Sequence, residues 1–269
     1  MSTVVCTLGM HRSGTSLVSR MLNLLGVDLG PSESMLGIAA DNPKGHWEHH
    51  EITLLNEEIL AAFGGSWHEP PALPEAWTSD PRLADVRDRA EQLLMRDFGT
   101  SSMWGWKDPR TCVTLPFWQN VVGEMRYVLC IRNPLAVMAS LLERNGMDVE
   151  IVDPLWLRHV QSSLDHTSGL PRLLVFYEDV LSDGARELGR MAAFIGRPER
   201  AEDPQVRDDV AHFLEQKLWH HRPSAESLAA NGRVSLTTKR LYLSLTGQED
   251  LIAAHALAAP GLEQEREAS

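Results

Sequence analysis

Short apolar runs alternate along the chain with longer stretches in which apolar residues recur every three or four positions. Val4 to Leu8 is a β-rich run, and Gly9 to Gly14 follows as a turn. From Thr15 onward Leu17, Met21, Leu24 and Leu25 recur at helical spacing, with Gly26 as a stop. Ile52, Leu55 and Ile59 support a helix over about 48–62. Asp80-Pro81 is a suitable cap and first-turn pair for a helix over about 80–97. Between them, 64–79 is rich in proline and carries Trp67 and Trp77. It reads equally as an ordered loop over a pocket or a packed connection.

Further on, strands are expected at Ser102 to Trp106, Arg126 to Ile131 and Leu173 to Tyr177. Asn133-Pro134 opens a helix through about Arg144, helical patterning resumes over 154–167, and another helix spans about 179–195. From about 203 the chain is helical with looser patterning, and 263–269 reads as a frayed tail. Strands alternating with helices predict an α/β fold, a P-loop-like three-layer α/β/α arrangement around a parallel sheet, with a mostly helical C-terminal part. One domain over 1–262 is the default for this length.

Composition narrows the picture. Of 269 residues 43% are hydrophobic, enough for one substantial core, and 23% are charged. The net charge of −12 argues against a nucleic-acid partner, which calls for a basic face. Cys6, Cys112 and Cys130 have no metal-ligand spacing and read as buried, reduced thiols. The start lacks the pattern of a signal peptide, and no apolar window is long enough to span a bilayer, so a cytoplasmic location is expected.

The candidate chemistry begins in the first turn. Gly9-Met10-His11-Arg12-Ser13-Gly14-Thr15-Ser16 joins a strand to a helix, where backbone N–H groups and the positive helix end attract an anion. Gly9 and Gly14 are spaced as in the nucleotide-triphosphatase loop, but Thr15 stands at the lysine position and the cation is Arg12, inside the loop. Ile131-Arg132-Asn133-Pro134 follows a strand, and Ser140 lies eight residues after Arg132. Asn133 can cap the helix, so Ser140 lies about 9 Å along it at ~1.5 Å per residue. An anion held by Arg132 and Ser140 lies beside the helix, which suits a phosphate on a ribose. Trp106-Lys107-Asp108-Pro109-Arg110 and Phe176-Tyr177-Glu178-Asp179 are further strand-end motifs.

Together these motifs resemble the sulfotransferases that use 3′-phosphoadenylyl sulfate (PAPS), in particular bacterial sulfotransferases, with loop features similar to the tyrosyl-protein sulfotransferases. The resemblance covers roughly residues 4–195. It implies that His11, Arg12, Ser13, Gly14, Thr15 and Ser16 hold the 5′-phosphosulfate and that Arg132 and Ser140 hold the 3′-phosphate. It places Lys107 at the reacting sulfuryl group and Tyr177 near the adenine, although Tyr177 reads equally as core packing. Asp108 and Arg110 would order their loop. PAPS would be the donor, with no metal: His46, His49, His50, His220 and His221 show no ligand pattern with carboxylates.

A hydroxyl acceptor calls for a general base. The segment Asn42-Pro43-Lys44-Gly45-His46-Trp47-Glu48 matches an N-P-x-G-x-x-E run of the bacterial relatives and implies Glu48 as base. Glu33, by its distance from the loop arginine, and His46 are the competitors. The same residues also suit an ordinary helix start. The acceptor is expected to be a small molecule, lipid or glycan hydroxyl, less readily an amine. Trp47, Trp67, Trp77, Trp104 and Trp106 read either as its pocket or as core. Lys239 and Arg240 are weaker candidates to close over the nucleotide. The competing classes are a small-molecule kinase or other P-loop nucleotide-binding protein, and a non-catalytic nucleotide-binding module.

Overall fold

The computed structural model describes residues 2–37, 45–215 and 223–252. Asn42, Pro43, Lys44, His220, His221 and the 263–269 tail therefore lie outside the described residues. The chain divides into two compact units, Met1–Arg132 with Arg158–His220 and Asn133–Leu157 with His221–Ser269, each taken over its described residues.

The first unit is built on four strands: β1 (Thr3–Leu8), β2 (Met103–Lys107), β3 (Arg126–Ile131) and β4 (Arg172–Phe176). They lie in the order β2-β1-β3-β4, and all neighbours are parallel. Thr7 pairs with Lys107, Leu8 with Leu129, and Ile131 with Phe176. Parallel pairing brings the C-terminal ends of all four strands to one edge. The chain leaves β1 for one side of the sheet and then crosses to the other. The connections therefore diverge at the end of β1, where open α/β sheets bind ligands.

Side chains alternate across the sheet and feed a core on each face. Val4, Cys6, Leu8, Trp104, Trp106, Tyr127 and Leu129 pack with α2 (His50–Ala62), α3 (Ala84–Phe98) and α4 (Thr111–Val122). Val5, Val128, Cys130 and Val175 pack with α1 (Thr15–Leu24) on the other face. The unit also contains α7 (Tyr177–Ser182), α8 (Gly184–Ile195) and α9 (Pro204–Glu215). Helices on both faces of a parallel sheet give the expected three-layer α/β arrangement.

The second unit contains α5 (Pro134–Asn145), the first turns of α6 (Val149–His166), α10 (Ala225–Ala230) and α11 (Leu236–Leu245). Trp156 meets Tyr242 edge-on at 6.3 Å. Arg233 bridges Asp148 and Glu150, and the Asp153 carboxylate accepts from the Ser235 N–H at 3.1 Å. No described helix is long and apolar enough to cross a membrane.

Several boundaries differ from the sequence expectation, each for a local reason. The Asp80 carboxylate accepts from the Arg82 N–H, but Pro81–Leu83 is a 3-10 turn before α3. α6 starts at Val149, before Pro154, where the Asp148 side chain accepts from the Val149 N–H at 2.7 Å. The helix expected over 179–195 divides at Asp183, whose carboxylate caps α8 by accepting from the Arg186 N–H at 3.0 Å. α4 has no counterpart in the sequence reading. Its β-branched and aromatic residues and internal Pro116 are poor helix formers, but Cys112, Leu115, Phe117 and Trp118 are fully buried, and burial outweighs propensity.

Candidate functional site

The glycine loop joins β1 to α1, and its glycines are set by close approach. A Cβ on Gly9, at φ 151°, would lie 2.5 Å from the Cys130 carbonyl oxygen. A Cβ on Gly14, at φ 86°, would lie 2.1 Å from Cδ2 of Tyr177. Arg12 also has a left-handed backbone, at φ 67°. Two buried thiols brace the loop. The Gly9 N–H donates to Cys112 Sγ at 3.1 Å, and the Cys130 thiol donates to the Ser13 carbonyl at 3.0 Å. Burial pushes the Cys112 thiol up to about 11, so it is held here as a neutral group.

Gly14 begins α1 without a side-chain cap, and the first turn has no acidic residue. The hydroxyl of Ser13 is buried and makes no hydrogen bond among the described residues. An uncapped helix start, a buried hydroxyl without a partner and Arg12 in the loop fit a phosphate-type anion. The single Oγ of Ser13 would be satisfied by it.

The other motifs arrive from the neighbouring strand ends. Lys107 closes β2, Arg132 follows β3 and Tyr177 follows β4. The Arg132 guanidinium donates to the Arg12 carbonyl at 2.8 Å and lies 4.5 Å from the Tyr177 ring centroid. The Tyr177 ring is thus clasped between Arg132 and the Gly14 backbone. It is 6% exposed, and burial raises its phenol above the ordinary tyrosine value. This packing makes Tyr177 a support for the loop. Ser140 is buried on α5 of the second unit, whose start is capped by Asn133 accepting from the Leu135 N–H at 3.0 Å, with Pro134 in the first turn.

The structure separates the three base candidates. Glu48 is 7% exposed, and its Oε1 accepts from Lys107 Nζ at 2.5 Å. Lys107 also donates to Ser16 Oγ at 3.3 Å, and the Ser16 hydroxyl donates to the His46 carbonyl at 3.0 Å. Ser16 of the glycine loop and Glu48 thus meet at Lys107. His46 contributes its backbone carbonyl to this cluster. Glu33 is exposed on the 3-10 turn Ser32–Ser34.

Behind Lys107, Asp108 accepts from the Arg110 backbone and guanidinium and from Asn56. Arg110 also pairs with Glu57 at 2.8 Å. Burial raises the Asp108 carboxyl, and Arg110 opposes that rise. Asp108 and Arg110 therefore order this strand end, as expected.

The tryptophans divide. Trp77, Trp104 and Trp106 are core. Trp67, from the proline-rich connection, lies 4.4 Å from His11 of the glycine loop, and Trp47 lies under the Arg20 guanidinium. Lys239 donates to the Ala229 carbonyl within the second unit. No group of three or more His, Cys, Asp or Glu side chains able to hold a metal occurs among the described residues.

The sequence reading missed three supports: the thiols of Cys112 and Cys130 against the loop, and a buried His49–Asp97 pair beside Glu48. Cysteines in apolar runs carry no signal of their partners, and the His49–Asp97 pair spans 48 residues.

A glycine loop after the switch-point strand of a parallel sheet, opening onto an uncapped helix, is a P-loop-like α/β arrangement, of the kind that suits an anion. Residues 5–202 match the family model described as the sulfotransferase family, and the chain belongs to that family of enzymes. No curated protein matches the sequence. Among solved structures, the chain is similar to a sulfotransferase domain from the curacin biosynthetic pathway, at 12% identity and TM-score 0.49, covering 91% of this chain and 98% of that one. It is also similar to a sulfotransferase from Mycobacterium avium, at 14% identity and TM-score 0.48, covering 96% and 77%. A third is retinol dehydratase in complex with androsterone and inactive cofactor PAP, at 14% identity and TM-score 0.39, covering 96% and 82%.

Proposed function

We propose that this sulfotransferase moves the sulfuryl group of PAPS to an acceptor hydroxyl by in-line displacement, with Glu48 as general base. The observation that carries the reading is the convergence of Glu48 and the loop residue Ser16 on Lys107, which is within hydrogen-bond reach of both. The loop of His11, Arg12, Ser13, Gly14, Thr15 and Ser16 holds the 5′-phosphosulfate, and Arg132 receives the 3′-phosphate. Lys107 reaches the bridging oxygen and a sulfuryl oxygen. The acceptor oxygen forms the new S–O bond as the bond to the 5′-phosphate oxygen breaks. Its proton passes to Glu48, and 3′,5′-adenosine diphosphate leaves.

Charge develops on the departing phosphate, so Arg12, Lys107 and the loop N–H groups stabilise the transition state more than the ground state. One such preorganised donor is typically worth about 3 kcal/mol. A positioned base contributes a factor of about 100 to 10,000. No step needs a metal, since cations and amides fill that role. Tyr177 acts here through the loop and Arg132 it supports.

Isothermal titration with 3′,5′-adenosine diphosphate tests the donor. Binding at micromolar ligand is expected, and no binding at millimolar ligand rejects the reading. Glu48→Gln should retain that binding and lose turnover. Full turnover in this variant would move the base to Glu33 or His46.

A further inference from the structure

The carboxylate of Glu48 sits on a stretch with little intrinsic means of holding it. Gly45 to Glu48 belongs to neither helix nor strand, and Trp47 has a left-handed φ of 54°, unusual for a bulky side chain. Such a backbone persists only where its surroundings over-determine it. On its N-terminal side the restraint is the Ser16 hydroxyl on the His46 carbonyl, with Arg20 over the Trp47 ring at 4.8 Å. The Leu36 N–H donates to the Glu48 carbonyl at 2.8 Å.

On the C-terminal side the restraint is the next residue. The His49 side chain is fully buried, and its Nε2 lies 2.9 Å from Asp97 Oδ2 at the end of α3. Its Nδ1 has no hydrogen-bond partner among the described residues, so the hydrogen bond that orients the ring there is the one to Asp97. A proton on Nε2 donates to the carboxylate and leaves the Nδ1 lone pair in apolar surroundings. Phe98 flanks the ring at 6.0 Å. Gly30 flanks it too, because a Cβ there would fall 2.9 Å from His49 Cδ2. Asp97 is fixed in turn by Arg96, which reaches both of its oxygens and also holds Glu51 in the first turn of α2.

We propose that His49 and Asp97 are positioning residues that hold Glu48 against Lys107. This inference rests on the reading of Glu48 as the base. His49 is covalently next to Glu48, so freeing its ring releases the peptide from which the carboxylate extends. A displacement of about 1 Å breaks a contact of this kind and, at a catalytic group, costs on the order of 100-fold in rate. This restraint comes from Asp97 on α3, which is not part of the glycine loop. Base placement thus depends on the His49–Asp97 contact in addition to the Ser16 contact that it shares with the glycine loop.

The test compares His49→Ala, His49→Gln and Asp97→Ala in the full chain. Glutamine is the conservative variant, because its amide nitrogen can donate to Asp97 much as Nε2 does. Crystal structures should show the Glu48–Lys107 separation opening beyond about 3.5 Å in His49→Ala and Asp97→Ala, and staying near its original value in His49→Gln. Turnover is read as 3′,5′-adenosine diphosphate released from PAPS, with water or 4-nitrophenol as the acceptor. It should fall about 10- to 100-fold in the two alanine variants and recover in His49→Gln, while the Kd for 3′,5′-adenosine diphosphate stays within about twofold. An intact Glu48–Lys107 contact in His49→Ala overturns the proposal. So does a parallel loss of nucleotide binding and turnover in both alanine variants, which marks a purely structural role. Should His49→Ala not fold, Asp97→Ala and His49→Gln carry the same comparison. Glu48→Gln, measured alongside, separates the two readings. Full turnover there rejects the base, whereas an inactive Glu48→Gln with an intact contact in His49→Ala rejects only the positioning pair.

Discussion

Replacing Lys107 by methionine removes a charge from one of the most buried places in the protein. Lys107 is 2% exposed and Glu48 7%, with 2.5 Å between Nζ and Oε1. Methionine keeps most of the volume, so the cost is that of a carboxylate left without its cation. Breaking a buried pair in this way typically costs about 3–5 kcal/mol. Proton uptake sets an upper limit. A glutamic acid in water titrates near pH 4.3, and each pH unit is worth about 1.4 kcal/mol, so protonating a carboxyl at pH 7 costs about 4 kcal/mol. Burial cannot cost the variant much more than that, because the side chain would take up a proton instead. The expected loss for Lys107→Met is therefore about 3–4 kcal/mol, or roughly 6–12 °C in Tm. The deficit should shrink as pH falls from 7 toward 4.3, by up to about 1.4 kcal/mol per unit. Adding Glu48→Gln to Lys107→Met removes the orphaned charge and should recover most of the loss, since replacing both members of a buried pair is often nearly neutral. Urea denaturation of the four proteins at pH 5.5 and 7.5 gives the cycle. Additive single effects, or a pH-independent deficit in Lys107→Met, would refute the reasoning.

Gly14→Ala forces a side chain into a left-handed position and against the Tyr177 ring at 2.1 Å. A loss of about 1–3 kcal/mol in urea melts is expected, together with weakened 3′,5′-adenosine diphosphate binding. Undiminished binding by titration calorimetry would remove Gly14 from the site. Arg132→Ala should weaken the same ligand by at least tenfold, and adenosine 5′-monophosphate, which lacks the 3′-phosphate, far less. Equal losses for both ligands would show that Arg132 acts only through the loop carbonyl it braces. Burial lowers His49 and His166 below the ordinary histidine value. The unfolded chain therefore takes up these protons first as pH falls. Stability should be flat on this account above about pH 6.5 and decline below it, and His49→Gln should reduce that slope in thermal melts between pH 7 and 5.

Much of this architecture is written locally. The turn after β1 and the Asn133-Pro134 start of α5 are legible because glycine, asparagine and proline act on their own backbone within two or three residues. α4 is illegible because its helicity comes from what it buries, and Thr111, Val113 and Pro116 by themselves argue against it. At the site, spacing places Arg12, Lys107 and Arg132 at the ends of successive strands and leaves three base candidates standing. Only the fold brings Glu48, 59 residues away in sequence, to Lys107. The sulfur contacts of Cys112 and Cys130 with the loop likewise join distant stretches of chain, where residue type alone says nothing of the partner.

The row of buried aromatics beneath β2 has an optical consequence. Phe98, Trp104, Trp106 and Trp118 follow one another with ring centroids 4.6, 5.9 and 5.3 Å apart. The indole N–H of Trp106 donates to Thr111, and that of Trp118 donates to Asn56. Asn56 in turn donates to Asp108, next to Lys107. Excitation absorbed anywhere in this array is shared among close chromophores, two of which are wired by hydrogen bonds to the residues behind Lys107. The native protein thus carries its own reporter. Near-ultraviolet circular dichroism should show a strong coupled tryptophan band, and emission should change when a ligand alters the charge around Lys107, with no label added.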